Sequence, residues 1–315
     1  MSLIKFTLRD KIVYNQATSQ KFGWTPQMFG ASNFDEELIN KIEQFQKDNR
    51  LDIDGLCGEF TYKKLHTEYE AKVELAKHQL QNKVCVQETK KENYIDVGWK
   101  DKKVKIEWDK FVGLTDVGNL SLPSLTYKTV NYERKPNLMV LHHDACFSSK
   151  SCHDVLLRRG LSVQFCICND GTIYQLTPLN VSAQHAGFVN MQSVGVEVSN
   201  AVELKYQGHY KIKGFGERPI IKQFHCHNKN YGDVLGLYSI QKEALRVLVK
   251  TICEYYSIPL ECPLDKDGNL LMDVSKDVQD KKYKGCVMHW HIDQKKWDCS
   301  GLDLVNMLKE IKEGK

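Results

Sequence analysis

The chain has 315 residues, 42% of them apolar and 27% charged, the make-up of a soluble globular protein with room for two modules and a connector. Forty-four basic residues against 40 acidic ones leave a net charge of +4, too little to suggest nucleic-acid binding. Charges break every apolar run of the first ten residues, which argues against a signal peptide and a membrane span and for synthesis in the cytoplasm. Eleven cysteines at irregular spacings do not suggest a disulfide-built scaffold.

In chain order, Phe22-Gly-Trp24-Thr-Pro26-Gln-Met-Phe29-Gly30 is a turn-rich aromatic stretch expected to pack around a small core. From Asp35, the spacing of Leu38, Ile39, Ile42 and Phe45 predicts a helix capped by Asn33 or Asp35. Asp54-Gly55 then makes a turn, and Thr61 sits near the start of a second helix. Phe45-Gln46, Leu51, Asp54-Gly55, Gly58, Thr61 and Leu65 resemble the peptidoglycan-binding domain type 1, a three-helix module. That resemblance implies an all-α wall-binding domain over residues 1–67. Residues 67–92 are rich in Glu, Lys and Gln and read as a connecting helix or linker. The alternation of Val104, Ile106 and Trp108 suggests accessory strands, with a hairpin around 100–103. Residues 68–134 are therefore expected to be linker and accessory strands, and 135–315 a second domain.

In that second domain an apolar strand, Leu138 to Leu141, ends in His142 and His143. Successive side chains on a strand face opposite ways, so only one of the two reaches a common site. A helix is expected over 151–159, then strands over 162–168 and 172–176 joined by Asn169-Asp170-Gly171, a hairpin turn. Gln184-His185-Ala186-Gly187 leads into a strand over 193–198. Glu197 lies inside it, where a carboxylate is costly unless paired, working, or on an edge strand in water. Residues 203–233 read as a long loop, 238–256 as an amphipathic helix closed by Pro259, 262–285 as a charged insertion, and 302–311 as a last helix. Before that helix, Val287-Met-His289-Trp-His291 carries histidine on an apolar strand and Cys299 follows. Two histidines and a thiolate from distant strands form a three-ligand zinc set with a fourth position for water. His291 competes with His289 by the two-residue period of a strand.

Val-Leu-His142-His, then Ser-Val-Gln164-Phe-x-Ile-x-Asn-Asp-Gly-Thr-Ile-Tyr174-Gln, then Gln-His185-Ala-Gly with Ser-Val-Gly-Val-Glu197, and last Val-Met-His289 leading to Asp-Cys299, form an ordered set. Over residues 135–312 it resembles type 2 N-acetylmuramoyl-L-alanine amidases, a zinc family that includes phage endolysins and is related to animal peptidoglycan recognition proteins. The resemblance implies an α/β fold, a mixed central β-sheet flanked by helices. It also implies hydrolysis of the amide between N-acetylmuramic acid and L-alanine in peptidoglycan, on the cell wall after release, by a monomer. A non-catalytic peptidoglycan-binding protein is the alternative.

Carried over residue by residue, His142, His289 and Cys299 hold zinc, and Glu197 is the general base and acid. Gln164, Tyr174 and His185 line the substrate groove, and Cys146-x5-Cys152 matches a disulfide spacing of recognition proteins. Gln164 departs from the histidine that many members place before the aromatic of that strand, and cannot carry a proton at neutral pH. Many members place a lysine two residues before the third ligand. With Cys299 as that ligand, the position is Trp297, and Lys296 is displaced by one.

Overall fold

A computed structural model describes residues 6–77 and 92–314. The chain divides into two compact units, Met1–Gln81 and Asn82–Lys315. Most of the expected linker lies outside the described residues.

The first unit contains α1 (Leu8–Phe22), α2 (Glu36–Asp48) and α3 (Glu59–Lys77). Phe22, Trp24, Ala31, Leu38, Ile42, Cys57, Tyr62 and Leu65 form its core. Asp35 caps α2 by accepting the Leu38 amide, satisfying one of the orphan donors of a first turn. The α2–α3 connection is organised by the buried Gln46. Its amide nitrogen donates to Asp54 Oδ1, the Leu56 carbonyl and Thr61 Oγ1, and its oxygen accepts the Asp54 and Gly55 amides. Gly55 has φ +72°, and a Cβ there would stand 2.8 Å from Ile39 Cγ2, so this turn requires glycine. α1 was not apparent in the sequence because Asn15 and Thr18 occupy two of its three buried positions.

The second unit runs β1 (Asn93–Asp96), β2 (Lys103–Ile106), β3 (Phe111–Val112), β4 (Tyr127–Lys128), β5 (Leu138–His143), α4 (Ser149–Arg159), β6 (Phe165–Ile167), β7 (Ile173–Gln175), β8 (Ser182–Ala183), β9 (Ser193–Val198), α5 (Gln207–Ile212), β10 (Ile220–Cys226), β11 (Lys229–Leu235), α6 (Ser239–Tyr256), α7 (Lys276–Gln279), β12 (Gly285–Met288) and α8 (Leu304–Lys312). Six strands form the central sheet in the order β12-β5-β9-β6-β7-β3. All neighbours are parallel except the β6–β7 hairpin, so the sheet is mixed, as the family resemblance implies. Its strands alternate faces as a pleat requires. Met139 and Leu141 join the large core built with α6 and α8, while Leu138 and Val140 join Ala186, Val189, Val278 and Ile292 on the other face. Residues 93–112 belong to this unit, since Ile95, Val97, Ile106 and Phe111 enter the large core and β3 is an edge of the sheet.

Residues 203–233, expected as a loop, contain α5 and most of the antiparallel β10–β11 hairpin. Cys146 and Cys152 are both free thiols. The Cys152 sulfur instead faces Cys166 Sγ at 3.6 Å.

Candidate functional site

Strand register places the chemistry. His142 on β5 is the Cα partner of Glu197 on β9, Glu197 partners Cys166 on β6, and Cys166 partners Tyr174 on β7. Register partners project to the same face, so the four form one row across the sheet with steps of about 4.8 Å. β9 is an interior strand, so Glu197 is not on an edge in water. β12 ends at Met288, the partner of Leu141, so His289, the next residue, extends the row beyond His142. Tyr174 is three strands from His142, partly buried against the Cys152–Cys166 core, where burial pushes its hydroxyl pKa up.

His142 Nδ1 and His289 Nδ1 stand 2.9 Å apart, and Asp298 Oδ2 lies 3.0 Å from the first and 2.8 Å from the second. Among the described residues this trio is the one group of three that could hold a metal ion. Burial, then the neighbouring His289, holds the His142 pKa below the usual imidazole value. Burial alone would raise the Asp298 carboxyl, but His289 and His142 hold it well below the usual carboxylate range.

Cys299, expected as the third ligand, is not in this group. It is fully buried in the large apolar core, and desolvation, then Asp298, Glu197 and Asp144, pushes its thiol pKa far up. Asp298 touches the two histidines, while Cys299 lies in the core. With Asp298 as the third member, Lys296 stands two residues before it, the spacing that was out of register when counted from Cys299. That Lys-x-Asp spacing was the signal in the sequence that could have found Asp298.

The loop carrying Asp298 is held from several directions. The His289 amide donates to the Asp298 carbonyl at 3.0 Å, and the Ser300 amide donates to His143 Nδ1 at 3.2 Å on the opposite face of β5. His227, in the β10–β11 turn, donates from Nε2 to the Lys296 carbonyl at 2.8 Å. Trp297 stacks on Tyr231 with ring centres 4.6 Å apart. The hairpin that the sequence hid is thus a support for this loop.

The remaining expected residues take different positions. His291 lies outside the group because the chain turns into a 3-10 helix at His289–His291, which ends the two-residue period of the strand. Its Nδ1 accepts the Met288 amide and its Nε2 donates to the Leu271 carbonyl, and burial lowers its pKa to about 4. Gln164, expected on the substrate groove, is wholly buried, with its nitrogen donating to the Val181 carbonyl and its oxygen accepting the Gly195 amide. It links β9 to the segment before β8. His185 lies on the site, with Nδ1 3.0 Å from His142 Nε2. The segment holding it is fastened by the buried Arg134 guanidinium, which donates to the carbonyls of Leu179, Val181, Asn190, Met191 and Ser193.

Residues 132–298, just over half of the chain, match the family described as N-acetylmuramoyl-L-alanine amidase. The chain belongs to that family. The amidase match begins before β5 and ends on Asp298, so it contains all three members of the trio. No curated protein matches the chain. Among solved structures, an endolysin amidase, LysCS from Clostridium intestinale, is 18% identical over 62% of this chain and 99% of its own, with a TM-score of 0.35. AmiD from E. coli, solved with an anhydro-N-acetylmuramic acid peptide, is 18% identical over 59% of this chain and 60% of its own, with a TM-score of 0.37. AmpDh3 from Pseudomonas aeruginosa, solved with an anhydromuramic pentapeptide, is 18% identical over 61% and 66%, also at 0.37. The family assignment rests on the first match and on none of these three. This protein is an N-acetylmuramoyl-L-alanine amidase, a peptidoglycan hydrolase.

Proposed function

We propose that the amidase cleaves the bond between the lactyl carbonyl of N-acetylmuramic acid and the L-alanine nitrogen using a zinc site of His142, His289 and Asp298. The convergence of Nδ1, Nδ1 and Oδ2 with edges of 2.8–3.0 Å carries this reading. Ligands about 2.0–2.2 Å from a tetrahedral zinc stand about 3.3–3.5 Å from one another, so the trio is within about half an ångström of such a face. Two imidazole nitrogens and a carboxylate oxygen are donors of the kind that suits zinc. When bound, zinc supplies Lewis acidity and lowers the pKa of a coordinated water to about 7.

The chain's own residues supply proton transfer and charge stabilisation. Glu197, one strand from His142 on the same face, takes the proton of the attacking water and returns it to the departing alanine nitrogen, one group serving both directions. Lys296, two residues before Asp298, places a positive charge for the developing oxyanion. The enzyme acts on the bacterial wall in the manner of an endolysin; no helix among the described residues is long and apolar enough to cross a membrane.

The deciding experiment pairs product analysis with Glu197→Gln, which keeps shape and removes the base. Amidase action frees L-alanine amino termini without new reducing sugar ends. Turnover of the variant should fall about 10²- to 10⁴-fold with zinc content unchanged. Unaltered turnover would move the proton transfer to another group.

A further inference from the structure

β9 presents Ser193, Gly195 and Glu197 on one face by the two-residue period of a strand. Glu197 has a role above, and the other two explain each other through His185. The His185 ring lies flat on the strand at Gly195, where a Cβ would come within 2.6 Å of both Cε1 and Nδ1, so glycine there makes room for the ring. Its Nε2 is 3.1 Å from Ser193 Oγ, and its Nδ1 is 3.0 Å from His142 Nε2.

Counting protons from the far end, with neutral rings, orders the tautomers of His185 and His142. A carbonyl only accepts, so the single Ser193 hydroxyl proton goes to the Val189 carbonyl at 2.9 Å. Ser193 Oγ is then an acceptor toward His185, which must carry its proton on Nε2. His185 Nδ1 is therefore bare and accepts from His142 Nε2–H. His142, its one proton used there, presents a bare Nδ1 toward His289 and Asp298.

We propose that His185 is a positioning residue that, anchored by Ser193 and admitted by Gly195, holds His142 in the one tautomer able to donate its Nδ1 lone pair to a metal. The inference rests on His142 being a zinc ligand. It replaces the expectation that His185 lines the substrate groove, because both of its ring nitrogens are engaged within the protein. A partner on the second ring nitrogen of a ligating histidine sets tautomer and ring angle, and its loss typically costs about 10- to 100-fold in metal affinity.

The test uses the full chain with 15N-labelled histidine. Long-range proton–nitrogen spectra of the metal-free wild type should show His185 and His142 both protonated on Nε2. A proton on His185 Nδ1 would overturn the proposal. Zinc affinity, read by competition with a chromophoric chelator, should fall about 10- to 100-fold in His185→Ala. Ser193→Ala, a small change that removes the anchor, should weaken zinc in the same direction and mix the His185 tautomers. Unchanged zinc affinity and an unchanged His185 tautomer in Ser193→Ala would overturn the role whether or not His185→Ala folds. Failure of the wild type to take up zinc would instead fell the ligand assignment, while the metal-free spectrum still reads the proton order on its own.

Discussion

At the scale of single residues, the site turns on which of two neighbouring side chains faces the histidines. Asp298 and Cys299 are both chemically able to bind zinc beside two histidines. Burial separates them: Cys299 is fully buried among apolar side chains, whereas Asp298 touches both ring nitrogens. Asp298→Ala should therefore reduce bound zinc from about one equivalent to a small fraction, because two histidines remain where three ligands are needed. Cys299→Ser should keep its zinc and lose only packing and desolvation energy. Elemental analysis of both variants after gel filtration checks this, and the reverse pattern would restore the thiolate as the ligand.

At the scale of elements, legibility followed how strongly a segment's own residues depend on being buried. β9 and α6 were readable because aliphatic side chains recur at the period of each element, Val194, Val196 and Val198 on the strand and Leu245, Leu248, Val249 and Ile252 on the helix. The β10–β11 hairpin was not, since only Phe224 and Cys226 of β10 are buried and its register is shifted beside Phe224. α1 hid for a related reason, with polar Asn15 and Thr18 at core positions. Asn15 is held there by the Gly55 carbonyl and the Cys57 amide. His142, His289 and Glu197 stood out in the sequence because a polar residue in an apolar strand needs a reason. Asp298 did not, because its one mark in a polar loop, the lysine two residues before it, is out of step when counted from the neighbouring Cys299. The same dependence on buried polar groups makes the first unit testable. Gln46→Ala would strip partners from the Asp54 and Gly55 amides and the Leu56 carbonyl. Each such group left unsatisfied costs about 1–3 kcal/mol. Chemical denaturation should show the first unit unfolding at lower denaturant while cleavage of a soluble muropeptide by the second unit persists. An unshifted transition would mean that water replaces the glutamine at no cost.

At the scale of the whole molecule, two units with separate cores and one candidate catalytic trio suggest a division of labour. The trio, Glu197 and Lys296 all lie in Asn82–Lys315, so the proposed chemistry is carried by the second unit. The turn of the first unit, built on Gln46, Asp54, Gly55 and Thr61, is the part that resembles a wall-binding module, and we assign that role to this unit. Attachment of such a module raises the concentration of the catalytic unit near an insoluble polymer without altering its chemistry. A chain beginning at residue 82 should therefore cleave a soluble muropeptide at nearly the full rate while adsorbing to purified walls much more weakly. The loss on walls should be greatest at low enzyme concentration, where tethering matters most, and should shrink as enzyme is added. Equal adsorption by the shortened chain would place wall binding in the catalytic unit and leave the three-helix unit a different purpose.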